Sequence, residues 1–178
     1  GGIGGVHRAW EKSLDISSDL KALSQIPVVV VSAGCKAILD IPATLEYLET
    51  LGVPVLGWQT NDFPAFYSRG TGLTIDKLTD AKQLAEAYQK MVELDPYPSG
   101  ILIANPIPQE DEIPAEVIGE YIDVAIKEVN TRGIKGKELT PFLLSALAES
   151  TAGLSVKSNL ALLRNNVIVG AQLARELR

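Results

Sequence analysis

The sequence predicts an α/β protein of three layers, α/β/α, built on a largely parallel central sheet. Three observations carry that reading. Pro27 to Ser32 and Gly100 to Ala104 are short, charge-free aliphatic runs, the pattern of strands buried on both faces of a parallel sheet. Ile41 to Gly52 is an amphipathic helix between the first of these and a shorter apolar strand, Val53 to Leu56, which makes a parallel crossover unit. Helix-length segments then recur with no internal repeat, linker or low-complexity stretch. The chain has 178 residues, 46% of them hydrophobic, enough for one domain, 1–178, with a sizeable core.

Each element has a local reason. Ser17, Ser18 and Asp19 are all good N-cap residues for a short helix through Leu23. Ala33-Gly34-Cys35 permits a sharp turn after the first strand. Pro42 sits in the first turn of its helix and Gly52 just past the end. Gly57 to Arg69 reads as an aromatic-rich loop whose rings serve packing or an oligomer interface rather than base stacking. Asp80 to Leu94 is an exposed helix, and Asn105-Pro106-Ile107-Pro108 stops the strand before it. The acidic Gln109 to Glu112 run is a solvated loop leading into a helix from Pro114 to Arg132. Gly133-Ile134-Lys135-Gly136-Lys137 is a turn without Walker spacing or a preceding strand, hence structural. Thr140 caps a helix starting at Pro141. The last helix, Ser155 to Leu177, carries Asn159, Asn165 and Asn166, and buried asparagines need partners.

Composition narrows the function. A formal charge of −6 argues against a nucleic-acid backbone as partner but leaves a small phosphorylated molecule open. A single cysteine excludes an internal disulfide and multi-cysteine metal sites, which fits the cytoplasm or an organelle with a reducing interior, such as a peroxisome or mitochondrion. No run approaches the roughly 18 apolar residues of a membrane span. Met91 is the only methionine, so the chain reads as a fragment or one part of a larger protein.

The candidate residues cluster early. Gly1 to Gly5 supplies four glycines, read either as backbone donors for a ligand or as a tight surface turn. His7, the only histidine, follows them. Asp15 and Asp19 flank Ser17 and Ser18; the set can be a capped helix, or hydroxyls and helix-end N–H groups holding ligand oxygens beside one carboxylate on a hard cation. Lys36 sits just past a strand end, where α/β sheets collect ligands. It can grip a phosphate, or lose its proton and attack a carbonyl. Holding a lysine uncharged at pH 7 costs about 4–5 kcal/mol, and that arithmetic does not choose between the two. Cys35 has no neighbouring histidine to activate it and reads as packing.

These motifs resemble the pseudouridine-5'-phosphate glycosidase family (indigoidine synthase A-like). The matching stretches are Gly1 to Arg8, Asp15 to Asp19, Ala33-Gly34-Cys35-Lys36, Ile38-Leu39-Asp40, Glu46 to Glu49, Phe63 to Ser68, Ala104 to Pro108 and Thr140 to Leu144. The resemblance implies reversible cleavage of a C–C glycosidic bond, giving uracil and ribose 5-phosphate from pseudouridine 5'-phosphate. It implies a lysine imine with the ring-opened sugar, assisted by one mostly water-coordinated Mn2+. By motif, Lys36 corresponds to the nucleophile and Asp15 to the metal ligand. Ser17, Ser18 and Asp19 match the substrate-binding triplet, and His7 and Asn159 match further substrate positions. A homotrimer is implied, as is an N-terminal part carrying the general acid and a phosphate-binding lysine, on the same or a companion chain. Other readings are a related C-glycosyl phosphate lyase and a catalytically silent ligand-binding or assembly domain. The chain departs from the family pattern at Ala9-Trp10, where glycine usually follows the His-Arg pair.

Overall fold

A computed structural model of the chain describes residues 1–134 and 136–177. Among these residues four parallel strands form one sheet: β1 (Val29–Ser32), β2 (Val55–Trp58), β3 (Asp76–Leu78) and β4 (Ile101–Ala104), in the order β1-β4-β2-β3. Val30 pairs with Leu102, and Leu56 with Ile103. Among the described residues seven helices connect and cover them: α1 (Trp10–Ser13), α2 (Ser18–Gln25), α3 (Ile41–Thr50), α4 (Ala81–Leu94), α5 (Ala115–Arg132), α6 (Leu139–Ser150) and α7 (Leu154–Glu176). Short 3₁₀ turns occupy Gln109–Asp111 and Gly136–Glu138.

β4 is buried along its whole length because alternate residues serve two cores. Leu102 and Ala104 join Leu20, Leu48, Ile122, Leu143 and Leu147 on the side of α2, α3, α5 and α6. Ile101 and Ile103 join Leu84, Val169 and Leu173 on the side of α4 and α7. The expected three-layer α/β/α architecture is present.

Several local expectations are corrected. The Pro27 to Ser32 strand begins at Val29 and lies at the sheet edge, with Val29 to Val31 only half-buried, because β4 and not β1 takes the centre. The Val53 to Leu56 strand is displaced to Val55–Trp58. The three-residue β3 was missed; Asp76 and Lys77 are exposed, and only Leu78 carries a burial signal. Thr140 lies inside α6, whose N-cap residue is Glu138. The Gly133 to Lys137 turn includes Lys135, which lies outside the described residues. Two of the three α7 asparagines find partners: Asn165 Nδ2 donates to Pro106 O at 3.0 Å, and Asn166 bridges Asn105 and the carbonyl of Gly1 at 2.9 and 3.0 Å. The rings of the Gly57 to Arg69 segment are used for packing, with Phe63, Phe66 and Tyr67 buried.

Two backbone positions generate predictions. Gly34 has φ of +81°, and a Cβ there would lie 2.1 Å from Pro64 O. Gly34→Ala therefore combines left-handed strain with a backbone clash and lowers unfolding stability by about 2–3 kcal/mol or more; a urea midpoint unchanged from the parent refutes this. Ala9 has φ of +59°, a left-handed conformation strained for a residue with a Cβ. Ala9→Gly raises unfolding stability by about 1 kcal/mol, read as a higher urea midpoint, and a lower midpoint counts against the strain.

Candidate functional site

The first six residues are the spine of the site. They run as a largely buried extended segment beside the turn that follows β1, with Ile3 bridged in parallel to Cys35. Ala33 N donates to Gly1 O, Ile3 N to Gly34 O, and Lys36 N to Ile3 O at 3.2 Å. On its other flank Gly4 N donates to Asp19 Oδ2 at 2.8 Å, and Ser17 N donates to Gly5 O at 2.9 Å. His7 N then donates to Asp15 O at 3.0 Å. Lys36, Asp19, Ser17, Asp15 and His7 are thus tied by main-chain contacts to one seven-residue stretch.

Glycine is required there by close approach. A Cβ on Gly4 would come within 2.2 Å of Ser17 Oγ, one on Gly5 within 2.5 Å of Thr44 Oγ1, and one on Gly2 within 2.5 Å of the Phe66 ring. This replaces the surface-turn reading. The Gly4 N–H is already bonded to Asp19, so that amide is not a free ligand donor.

Lys36 is half-buried at the strand end, and among the described residues its side chain makes no ion pair. The α2 N-terminus is joined to the adjacent residue of the same segment: Lys36 N donates to Ile3 O, and Gly4 N to Asp19 Oδ2. Ser17 is its N-cap, with Oγ accepting from Asp19 N at 3.2 Å. That leaves the Ser17 hydroxyl hydrogen able to donate, and the second carboxylate oxygen of Asp19 able to accept. Ser18 opens the helix and is exposed. The half-buried Asp15 and His7 border a cleft of about 800 Å³ with Arg8, Lys12 and Asn130, formed against the end of α5. Lys36, Ser17 and Asp19 do not line that cleft.

Asn159 is half-buried on α7, and no hydrogen bond joins its side chain to the other candidates among the described residues. Its surroundings are nevertheless anchored on the spine. One turn later, Leu163 Cδ2 lies 3.7 Å from where a Gly1 Cβ would sit, and Asn166 holds the Gly1 carbonyl. One turn earlier, Ser155 Oγ accepts from Thr151 Oγ1 at 3.1 Å.

Reading the residues in sequence missed two positioning groups. Thr44 is fully buried; its Oγ1 accepts from Val6 N at 3.0 Å and donates to Asp40 O at 2.7 Å, pinning the spine to the start of α3. Its only signal was one hydroxyl on the inner face of an amphipathic helix. The Asn105–Asn166 pair was half-seen, because helix asparagines were noticed and their partner was not. Cys35 is buried, and burial pushes its thiol up to about 12, which fits packing and not nucleophilic attack.

Among the described residues no group of three or more His, Cys, Asp or Glu side chains could cage a metal. Asp15 is a lone carboxylate with no side-chain hydrogen bond among those residues, a donor set that fits a hard divalent ion retaining most of its waters and does not fit zinc.

Comparison with known proteins follows this geometry. The family described as indigoidine synthase A-like protein matches residues 1–176. Pseudouridine-5'-phosphate glycosidases of Methylobacterium nodulans and Caldanaerobacter subterraneus are 52% and 51% identical over 100% and 99% of this chain, covering 53% and 58% of their own. Among solved structures, a prealnumycin C-glycosynthase in complex with ribulose 5-phosphate superposes with a TM-score of 0.92 at 35% identity, over 99% of this chain and 58% of its own. An indigoidine synthase A-like protein from Thermotoga maritima gives 0.86 at 40% identity, over 99% and 56%. The chain spans little more than half the length of these relatives. Its sequence over almost every residue, and its fold at both superpositions, place it in the indigoidine synthase A-like family.

Proposed function

We propose that this chain is the lysine-bearing part of an enzyme that reversibly cleaves the C–C glycosidic bond of pseudouridine 5'-phosphate, acting with the rest of the family polypeptide on the same or a companion chain. The observation that carries this reading is the convergence of Lys36, Ser17, Asp19, Asp15 and His7 on one glycine-rich segment. Names of relatives at 51–52% identity supply the substrate class, and the solved neighbour with ribulose 5-phosphate supports a sugar phosphate.

A C–C glycoside resists the oxocarbenium route of paired carboxylates. Lys36 provides an alternative: its neutral amine bonds to C1' as the C1'–O4' bond breaks and the ribose ring opens, with O4' taking up a proton and the nitrogen losing one. Its nitrogen lone pair forms the imine as the C1'–C5 electron pair goes to uracil, whose C5 takes up a proton. Water then hydrolyses the imine to ribose 5-phosphate and the free amine. Ser17 donates to a sugar or phosphate oxygen. Asp19 accepts from a sugar hydroxyl through the oxygen that Gly4 leaves free. His7 and Asn159 contribute further contacts. Asp15 would hold a Mn2+ ion, which supplies charge neutralisation and orientation at the sugar oxygens. The remaining family polypeptide supplies the general acid and a wall over Lys36, and a homotrimer is the expected assembly. A second reading, a C-glycosyl phosphate lyase or synthase with another aglycone, is favoured by the C-glycosynthase neighbour; the base accepted in substrate profiling separates the two.

Two experiments test this on the protein that includes the remaining polypeptide. Incubation with ribose 5-phosphate, uracil and Mn2+ followed by borohydride places a reduced adduct on Lys36, and Lys36→Arg abolishes both the adduct and activity, by on the order of 10³-fold or more. A folded, Mn2+-loaded protein that yields no adduct is a silent module. Asp15→Asn keeps the fold and weakens Mn2+ binding, read by electron paramagnetic resonance, by at least about tenfold, the lower end of what losing even a supporting group costs. Unchanged affinity removes Asp15 from the metal site.

A further inference from the structure

A second cleft opens at the carboxyl ends of β2 and β4. Gly57 pairs with Ala104, so Trp58 and Asn105 are the next residues on adjacent parallel strands. The chain leaves β2 for β3 on one side. It leaves β4 for helices that end in α7, where Gly170 lies against Val31 of β1 on the other side. Connections that diverge from neighbouring strands leave a crevice between them, the place where open α/β sheets collect ligands. Here it measures about 290 Å³, and its lining includes Trp58, Thr60, Arg69, Asn105, Pro106 and Asn165. Lys36, Asp15, Ser17 and Asp19 do not line it.

The polar groups of this cleft are oriented by bonds they make elsewhere. The Gly1 carbonyl can only accept, so Asn166 serves it through Nδ2 and turns Oδ1 to Asn105. Asn105 must then donate through Nδ2, which leaves its Oδ1 over. Asn105 is only 3% exposed, yet no fully buried side-chain oxygen or nitrogen lacks a partner among the described residues. Its Oδ1 has no donor among those residues, so that oxygen is reached from the cleft that Asn105 lines. Asn165 repeats the arrangement: Nδ2 donates to Pro106 O, and Oδ1 is left over. The exposed Arg69 gives Nη1 to Ile107 O and makes no ion pair among the described residues. Its remaining N–H groups are free to donate. Among the described residues no aspartate or glutamate lines the cleft.

We propose that this cleft binds a small hydroxycarboxylate, apart from the residues assigned to the glycosidic chemistry. The carboxylate takes Arg69, whose planar fork matches two carboxylate oxygens. Hydroxyl hydrogens go to Asn105 Oδ1 and Asn165 Oδ1. Charge selects a monoanion over a phosphate dianion. One guanidinium lines the cleft, the Glu112 carboxylate accepts from the Arg69 main-chain N at 2.8 Å, and the whole chain carries −6. A second negative charge on the ligand would meet no second cation and a carboxylate close by. The donors to the asparagines are hydroxyls and not an ammonium, because no carboxylate lines the cleft to balance a second positive charge beside Arg69. The proposal does not use the chemistry of Lys36, so either can fail alone.

The test uses the protein that includes the remaining family polypeptide, with glycerate as the probe in a ligand-observed NMR titration. Acetate, a charge without hydroxyls, and glycerol, hydroxyls without a charge, are the controls. Each control is expected to bind at least about tenfold more weakly than glycerate, and Arg69→Met to weaken glycerate by the same factor, as loss of a charged hydrogen bond does. Asn165→Ala is expected to weaken it about threefold or more, the cost of a neutral one. The borohydride adduct on Lys36 is expected to persist in both variants. No glycerate binding, acetate binding as tightly as glycerate, or unchanged glycerate affinity in a folded Arg69→Met protein overturns the proposal. So does competition between glycerate and ribose 5-phosphate, since the probe then occupies the site around Lys36.

Discussion

The close approach of a side-chain-free backbone to its neighbours is the constraint on which the site depends. Gly2, Gly4 and Gly5 have Phe66, Ser17 and Thr44 where a Cβ would stand. The absence of those carbons lets one strand touch the turn after β1, the N-terminus of α2 and the start of α3 together. Interiors are packed to crystal-like density, so a single added methyl has no void to enter. The glycines are therefore part of the geometry that sets Lys36 relative to Asp19, because Ile3 O and Gly4 N are adjacent links to each.

Placement of the lysine follows from sheet topology. β1 ends at Ser32, and the chain turns sharply through Gly34 before reaching Lys36, which puts the side chain beyond the carboxyl end of a parallel strand. The polar groups nearby are already directed by their own bonds. Ser17 faces Asp19 N, Asp19 faces Gly4, and Thr44 fills the gap in the Val6–Asp40 bridge. Preorganisation of this kind limits reorientation when a ligand arrives.

The fold is also unevenly closed. One side of the sheet is sealed by α4 and α7 over β4, and the other by α2, α3, α5 and α6. The edge at β1 and the outer face of α7 keep apolar groups uncovered. The cleft reaches His7 and Asp15 but not Lys36.

Local chemistry in the sequence determined much of this. The charge-free run ending at Ala104, the proline and glycine that bracket α3, and the exposed helical stretch from Asp80 to Leu94 are short-range signals, and each element formed there. The grouping of Asp15, Ser17, Asp19 and Lys36 within 22 residues was likewise visible. Tertiary structure alone decided the order of strands, which made β1 an edge and β4 the centre, since strand order depends on crossovers and not on local composition. It also decided that the glycines serve packing more than ligand contact. The partners Phe66 and Thr44 lie tens of residues away, and no spacing rule encodes a contact of that range. β3 was illegible for a related reason: a three-residue strand with one buried side chain becomes a strand only when Leu56 to Trp58 is there to pair with it.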